Sequence, residues 1–600
     1  MKRREFLNLA LKSILLTGAT GLGGSVGYSY FGNPNYKKSF PYLKENHVKL
    51  SPNGKTVCIM GGGLAGLQAA CELSDRGFKV TLLEKTASAG GKLKTWKDKN
   101  FAKEHFGEKG YSREHGLHAI WGFYKNLREF LGRHNIEINH LGENDSFYYF
   151  VSKRGFQSKI HNTKWPIPFD RIEMLKNGVY IPSREDIQVP ASNMLETLIT
   201  SLKMWGFDYL NKEDRLYLDS ITFYDWAVGN GMSLEYIKHF FDALAEMGFF
   251  MTTKECSALA IFNFMCLGNL PSDSKVDLYK WPPDETFINP MISHIKSNGG
   301  EIIYNQEITS IQRENGKIKS VTTNERYPSG KFKRCRICGN VMSDGEYEHC
   351  PFCGAHHSEL EVVTNVKQSI YEADYFITAM DVVGARKFIS LSGLNKEDDY
   401  FHKITKLTNA KILCVNLLYE NSNVWDKRFP EGKYSAMDFM PTGYNYLGFT
   451  SNWSAKQIPE LKEKKIDLIE VQVSKWQEMT KYSHKEIANL VHDELKLVFP
   501  ELNDFSEFYI NLWDTYTGFR PGDEANRPGI QSPIENLLFI GDWVTIEHHS
   551  VFMERTNVIA KMVTNLLLDK IGSNEGKITI LKSGTPDLSI SLLKYLTSVK

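Results

Sequence analysis

The stretch from Lys55 to Lys85, KTVCIMGGGLAGLQAACELSDRGFKVTLLEK, constrains the fold more than any other part of the chain. Val57 to Met60 is a short apolar run of the kind that forms a buried parallel strand. Gly61-x-Gly63-x-x-Gly66 follows at once. Leu64 to Arg76 has helical periodicity, Gly77 ends it, and Lys79 to Leu83 reads as a second strand with Glu84 at its end. Each part has a physical task. Gly61 permits a sharp turn, Gly63 lets the backbone approach a pyrophosphate, and Gly66 allows a helix to pack closely on a strand. The free N–H groups and dipole of a helix start favour phosphate charge. An acid at the position of Glu84 accepts hydrogen bonds from ribose hydroxyls. In this order the parts predict a dinucleotide cradle, with contacts from Gly61, Gly63, Leu64, Ala65, Gly66, Glu84 and Lys85.

Gly90-Gly91-Lys92 follows Glu84 at short range. Enzymes of the amine oxidase and phytoene desaturase superfamily carry Gly-Gly-Arg there, and the pair of glycines argues for FAD over NAD. Lys92 keeps the charge of that arginine and loses its planar fork. Four further stretches resemble the same superfamily. REHGLHAIWGFYKNL, from Arg113, is similar to the Glu-x-Gly-x-His segment of carotenoid desaturases. GGEIIYNQEITSIQRENGKIKSV, from Gly299, is similar to the strand pair that runs beside the adenosine near Ile308, and ADYFITAMD, from Ala373, to a strand returning to the nucleotide sheet. ENLLFIGDWVTIEHHSVFMERTNVIAKMVTNLL, from Glu535, resembles the C-terminal flavin motif. There the resemblance implies that Gly541 and Asp542 meet the flavin ribityl chain. It also implies that Met553 opens a helix aimed at the pyrimidine edge of the ring. Met-Glu-Arg-Thr replaces the Met-Glu-Gly-Ala of phytoene desaturases, which looks closer to ring-modifying desaturases of the isorenieratene synthase type.

The chain has 600 residues, too many for one compact core. The fold class expected is α/β: a doubly wound, Rossmann-like FAD-binding domain interleaved with an α+β substrate domain. A small rubredoxin-like or zinc-ribbon insertion completes it. FAD-binding pieces are expected at 54–145, at 291–326 with 361–390, and at 511–572. Substrate-domain pieces are expected at 146–290 and 391–510, with a linker at 33–53 and a C-terminal tail at 573–600.

Four of the nine cysteines define the insertion, at 327–360. Cys335-x2-Cys338 and Cys350-x2-Cys353 are separated by eleven residues, and Gly339 and Gly354 follow the pairs. Two such knuckles offer four thiolates to one tetrahedral metal, iron or zinc; a pair of disulfides is the plain alternative. FKRCRICG and HCPFCGA resemble a rubredoxin-like module, which implies iron, while the spacing fits a structural zinc ribbon equally. A segment this short makes little core alone, so the metal would hold it together. The other cysteines, Cys58, Cys71, Cys256, Cys266 and Cys414, read as small buried apolar residues.

Arg3-Arg4-Glu5-Phe6-Leu7 resembles a twin-arginine export signal over residues 1–32, which implies a periplasmic or membrane-associated protein. An ordinary basic N-terminus, with a cytoplasmic membrane-associated protein, is the alternative. Leu588, Leu592, Tyr595 and Val599 can share one face of a short tail that touches a membrane or packs on the body. Net charge is +1, so no nucleic-acid partner is expected.

Catalysis at a flavin asks orientation and a dry pocket of the protein, and no side chain is singled out as a base. The stretches around ITFYDWAV and ALAIFNFMC read either as the lining of a lipid tunnel or as helical core. His118 reads either as a satisfied core histidine or as one at the substrate mouth. The expected reaction is hydride transfer to FAD from an apolar, carotenoid-like polyisoprenoid. A quinone or redox protein is the expected electron acceptor. Oxidation of a small amine, or electron transfer without an organic substrate, are the alternatives.

Overall fold

The computed structural model describes residues 43–116, 118–138, 146–150, 157–161, 200, 203–204, 206–234, 237–267, 276–277 and 281–324. Beyond them it describes 332–335, 341–343, 347–350, 356–363, 368–428, 436–439, 449–451, 461, 463–473 and 475–584. The export-like segment, the face formed by Leu588 to Val599, and Cys338 and Cys353 lie outside these residues.

A five-stranded parallel sheet gathers distant parts of the chain. Its order is Leu537–Phe539, Tyr375–Thr378, Thr56–Met60, Lys79–Leu83 and Glu301–Ile303. Val57, Cys58, Ile59 and Met60 are at most 1% exposed, as a strand covered on both faces must be. The helix Leu64–Asp75 returns from the first strand to the second, and Gly77 closes it at φ +77°. The long helix Phe552–Lys570 packs along it, so the two ends of the nucleotide fold touch directly.

A seven-stranded sheet forms a second layer, in the order Glu507–Thr517, Asn409–Tyr419, Asp467–Val473, Phe449–Ser451, Ala436–Phe439, Ser146–Phe150 and Gln157–His161. The strand Glu507–Thr517 pairs with Asn409–Tyr419 along its length. A boundary at 511 therefore falls inside a strand of this sheet, which runs on to 517 before the chain returns to the nucleotide fold.

The segment 43–53 is no bare linker. Asn46 is fully buried and exchanges hydrogen bonds with Thr579, donating at 3.0 Å and accepting at 2.7 Å. Satisfying a buried amide costs less than leaving it orphaned, so this polar stretch is tied to the body.

The strands Glu307–Glu314 and Lys317–Asn324 form a hairpin whose turn, Asn315-Gly316, has both residues at positive φ. Lys317–Asn324 also pairs with Gln368–Glu372. The cysteine segment leaves and rejoins this sheet between Asn324 and Gln368. Val362 is not in the returning strand: Leu360–Val363 pairs with Phe332–Cys335 in a separate sheet that includes Val341–Ser343. That small sheet extends the insertion beyond residue 360.

Candidate active site

One cavity of about 670 Å³ runs between the two layers. Its wall includes Gly61, Gly63, Leu64, Ala65, Glu84, Lys85, Gly90, Gly91, Lys92, Ile308, Gly541, Asp542 and Met553. Gly66 lies behind that wall. A Cβ there would stand 2.1 Å from the Gly61 carbonyl oxygen and 3.2 Å from the Ala379 Cβ, so its work is close packing. Gly61 sits at φ +122°, with the Ala379 carbonyl oxygen 2.6 Å from where a Cβ would be. Gly63 differs from both. A Cβ there meets only the Gly91 Cα, at 3.8 Å, and otherwise points into open space.

The helix that starts at Leu64 has no side-chain cap and no acid in its first turn. Its N-terminal N–H groups and dipole therefore face the cavity with no cap and no acid of its own first turn to neutralise them. Glu84 braces the glycine turn. One carboxylate oxygen accepts from the Gly62 N–H at 2.9 Å; the other accepts from the Thr86 N–H at 2.9 Å and hydroxyl at 2.7 Å.

At the other end of the cavity Lys92 reaches Asp542, Nζ to Oδ2 2.7 Å. Burial alone would raise the Asp542 carboxyl; the Lys92 ammonium outweighs it and holds the group below the usual range. The charge of Lys92 is thus spent on the strand-end carboxylate and does not stand alone in the cavity. Thr517 and Arg527 support the pair, and neither had a motif to announce it. Thr517 lies 3.4 Å from the Lys92 amine, and Arg527 donates to the Asp542 carbonyl at 3.3 Å.

The helix Phe552–Lys570 begins at the wall, where Met553 lines the cavity. Its neighbour Glu554 turns the opposite way and is fully buried. It accepts from the Asn126 N–H, the Asn126 side-chain amide and the Leu127 N–H, each at 2.9 Å. Those donors open the helix Lys125–Arg133, so one carboxylate locks the start of the cavity-lining helix to the start of another.

Aromatic rings close the remaining wall: Trp121, Tyr124, Phe249, Phe250, Phe264 and Phe552. The stretches around residues 247–250 and 264 do reach the cavity, while most of Ala258–Leu267 is core. His118 is on the wall, and its Nδ1 lies 3.0 Å from a Glu114 oxygen. Burial pushes its pKa down to about 4, so the ring is neutral at pH 7. The register of Arg113 to His118 gave no sign of this pairing, because Glu114 ends a strand and His118 lies beyond a turn at Gly116.

Cys335 and Cys350, one from each knuckle, are 0% and 1% exposed and share a buried cluster with Trp96. Tyr347, Leu360 and Trp513 pack against it. Cys58, Cys71, Cys256, Cys266 and Cys414 are buried in the apolar core, as expected; burial pushes the Cys58 thiol up to about 12.

The family described as flavin containing amine oxidoreductase matches residues 64–332 and 356–556, well over half of the chain, and passes over 333–355 where the four cysteines lie. A carotenoid phi-ring synthase of Chlorobaculum tepidum is 24% identical, across 95% of this chain and 97% of its own. A 15-cis-phytoene desaturase of Solanum lycopersicum is 23% identical, across 87% and 80%. Among solved structures, an oxidoreductase from Methanosarcina mazei aligns with a TM-score of 0.55 at 15% identity, over 85% of this chain and 99% of that one. Wild-type putrescine oxidase bound to putrescine aligns with a TM-score of 0.55 at 14% identity, over 86% and 99%, a likeness of fold. The chain is an FAD-dependent oxidoreductase and belongs to the flavin containing amine oxidoreductase family.

Proposed function

We propose that this enzyme oxidises or desaturates an apolar, carotenoid-like polyisoprenoid. The observation that carries the reading is the continuity of one cavity, from an uncapped helix start at Gly63 to a wall of aromatic rings. Relatives named for carotenoid chemistry that align along nearly the whole chain support it.

The residues fit FAD. Gly63 leaves room that a pyrophosphate at the helix start would use, and Glu84 and Ile308, on the same wall, would meet the adenosine end. Gly90, Gly91, Lys92, Gly541, Asp542 and Met553 would hold the flavin end. Bound there, the flavin supplies the acceptor for a hydride. The chain supplies the rest. The aromatic wall excludes water and orients an extended apolar substrate. His118, neutral and fixed through Nδ1 by Glu114, takes the proton lost from the carbon next to the one that gives the hydride.

The four cysteines, in this reading, hold one iron or zinc. Export by the twin-arginine route, contact with a membrane, and electron transfer to a quinone or redox protein complete it. They rest on Arg3-Arg4, on the apolar face of the tail, and on the cysteine spacing.

Anaerobic mixing of the purified holoenzyme with solubilised carotenoids tests the substrate class. Bleaching of the flavin, with a product two mass units lighter, is the expected result. Bleaching by small amines and not by any polyisoprenoid would overturn it.

A further inference from the structure

Three helices of the nucleotide fold end at one point, away from the flavin cavity. Asp75 is the last residue of Leu64–Asp75, His134 directly follows Lys125–Arg133, and His294 lies in the last turn of Asn289–Ser297. None of the three lines the cavity. One carboxylate oxygen and two ring nitrogens all lie within 4.8 Å of one another. Among the described residues, no other group of three His, Cys, Asp or Glu side chains meets in this way.

The hydrogen bonds leave a gap at this point. The His294 Nε2 and the Asn298 amide nitrogen each stand 2.8 Å from the Asp75 Oδ1. The other oxygen, Oδ2, faces the His134 Nε2 at 3.8 Å, too far for a hydrogen bond. That Nε2 meets the Arg133 Nη1 at 3.2 Å instead, and a guanidinium only donates, so the nitrogen presents its lone pair. A carboxylate oxygen and an imidazole lone pair therefore face each other with no proton between them, which is the arrangement a cation satisfies. A tetrahedral zinc ion holds nitrogen and oxygen ligands at about 2.0–2.1 Å, which sets them about 3.3 Å apart. The separations of 2.8 and 3.8 Å bracket that spacing.

Charge points the same way. Each helix end presents the equivalent of roughly half a negative charge, and three such ends converge here with the Asp75 carboxylate. Arg133, the cation beside His134, is itself matched by Glu72 and Glu129, both fully buried, to which three of its nitrogens donate. The His294 side chain is 30% exposed, so an ion can enter from solvent and a water can complete its shell.

We propose that Asp75, His134 and His294 bind one divalent transition-metal ion of the zinc type, with water as the fourth ligand. The ion ties the cradle helix, at the end away from the cavity, to two neighbouring helices. It takes no part in the chemistry at the flavin, and the proposal stands apart from the substrate reading and from the cysteine module.

The test is a titration of the full-length holoenzyme, dialysed against EDTA, with zinc ion alone, followed by the melting temperature. Zinc is expected to raise it, because an ion that binds only the folded chain stabilises it by mass action. Cys350→Ser should keep that rise. His294→Gln and Asp75→Asn should each weaken the zinc dependence roughly a hundredfold or more. Asn298→Asp sets a second carboxylate beside the His294 Nε2, now 3.1 Å from the amide nitrogen, and should tighten it roughly tenfold. Because His294 is partly exposed, its variant keeps the test alive if Asp75→Asn does not fold. Cobalt bound to the Cys350→Ser protein should show visible bands of nitrogen and oxygen ligation, which His294→Gln removes. A zinc-induced rise that survives His294→Gln, or that disappears in Cys350→Ser, overturns the site. A wild-type melting temperature that zinc leaves unchanged also overturns it.

Discussion

The glycine cradle lines the cavity and the cysteine module packs behind one wall of it, at Trp513, and the two are held in place differently. Around the cradle, a strand, a helix and the long C-terminal helix are embedded in one large apolar cluster that includes Val57, Leu67, Leu82 and Val563. The module gives Cys335 and Cys350 to a small cluster whose other buried member, Trp96, belongs to the host. The cradle stands on burial, which at about 25 cal/mol per Å² needs no ligand to hold it. The module leans on two host tryptophans and on whatever its sulfurs bind.

Substitution at two glycines separates packing from cofactor space. Gly66→Val drives carbons into the Gly61 carbonyl and is expected to cost roughly 3 kcal/mol or more, seen as a large fall in melting temperature and loss of bound flavin. Gly63→Ala meets nothing closer than 3.8 Å. It should leave the apo-protein within about 0.5 kcal/mol of wild type while weakening FAD binding in a fluorescence titration. Equal damage to the apo-protein from both changes would contradict the assigned roles.

The cavity wall itself comes next. His118→Gln should slow flavin reduction by substrate roughly a hundredfold with flavin content unchanged. In the wild type the rate should fall on the acid side near pH 4, where His118 becomes protonated and can no longer accept, and the variant should lack that limb.

Cys350→Ser is the converse experiment. It should loosen residues 327–360 to limited proteolysis and, if the four cysteines hold a metal, release it, while the flavin stays bound, because among the described residues the cradle and the module share no sheet. Loss of FAD from this variant would mean that the two regions are one cooperative unit.

The smallest expected effect is on stability against pH. His115 and His134 are held near 3, and His118 and His549 near 4, chiefly by burial, against an ordinary 6.5. The unfolded chain therefore binds more protons below pH 6.5, so stability falls as pH drops from about 6.5 toward 4. None of these histidines lies in the cysteine module. Melting followed by flavin fluorescence should accordingly soften with acid over this window.

Local pattern carried the cradle. The strand Lys79–Leu83 ends where its sequence said, and the first helix ends within one residue of Arg76, because apolar spacing and Gly77 act over a few residues. What escaped the sequence depends on distant partners. Asn46 and Thr579 are 533 positions apart, and the packing of two separate sheets that sets Trp513 beside Trp96 has no local mark. Glu554 looked like part of a flavin-facing helix start, and only the fold shows it turned onto Asn126 and Leu127. The strand that returns to the hairpin, Gln368–Glu372, has no local mark to separate it from Leu360–Val363, because a β-rich run inside an insertion reads like one outside it.

Everything depends on the first strand and the last helix closing around the same cofactor, and the absorption spectrum of gently isolated protein tests this directly. The account predicts a flavin spectrum with one FAD per chain, lost in Gly63→Ala at an FAD concentration that still saturates the wild type. A folded, colourless protein that takes up no added FAD would contradict it.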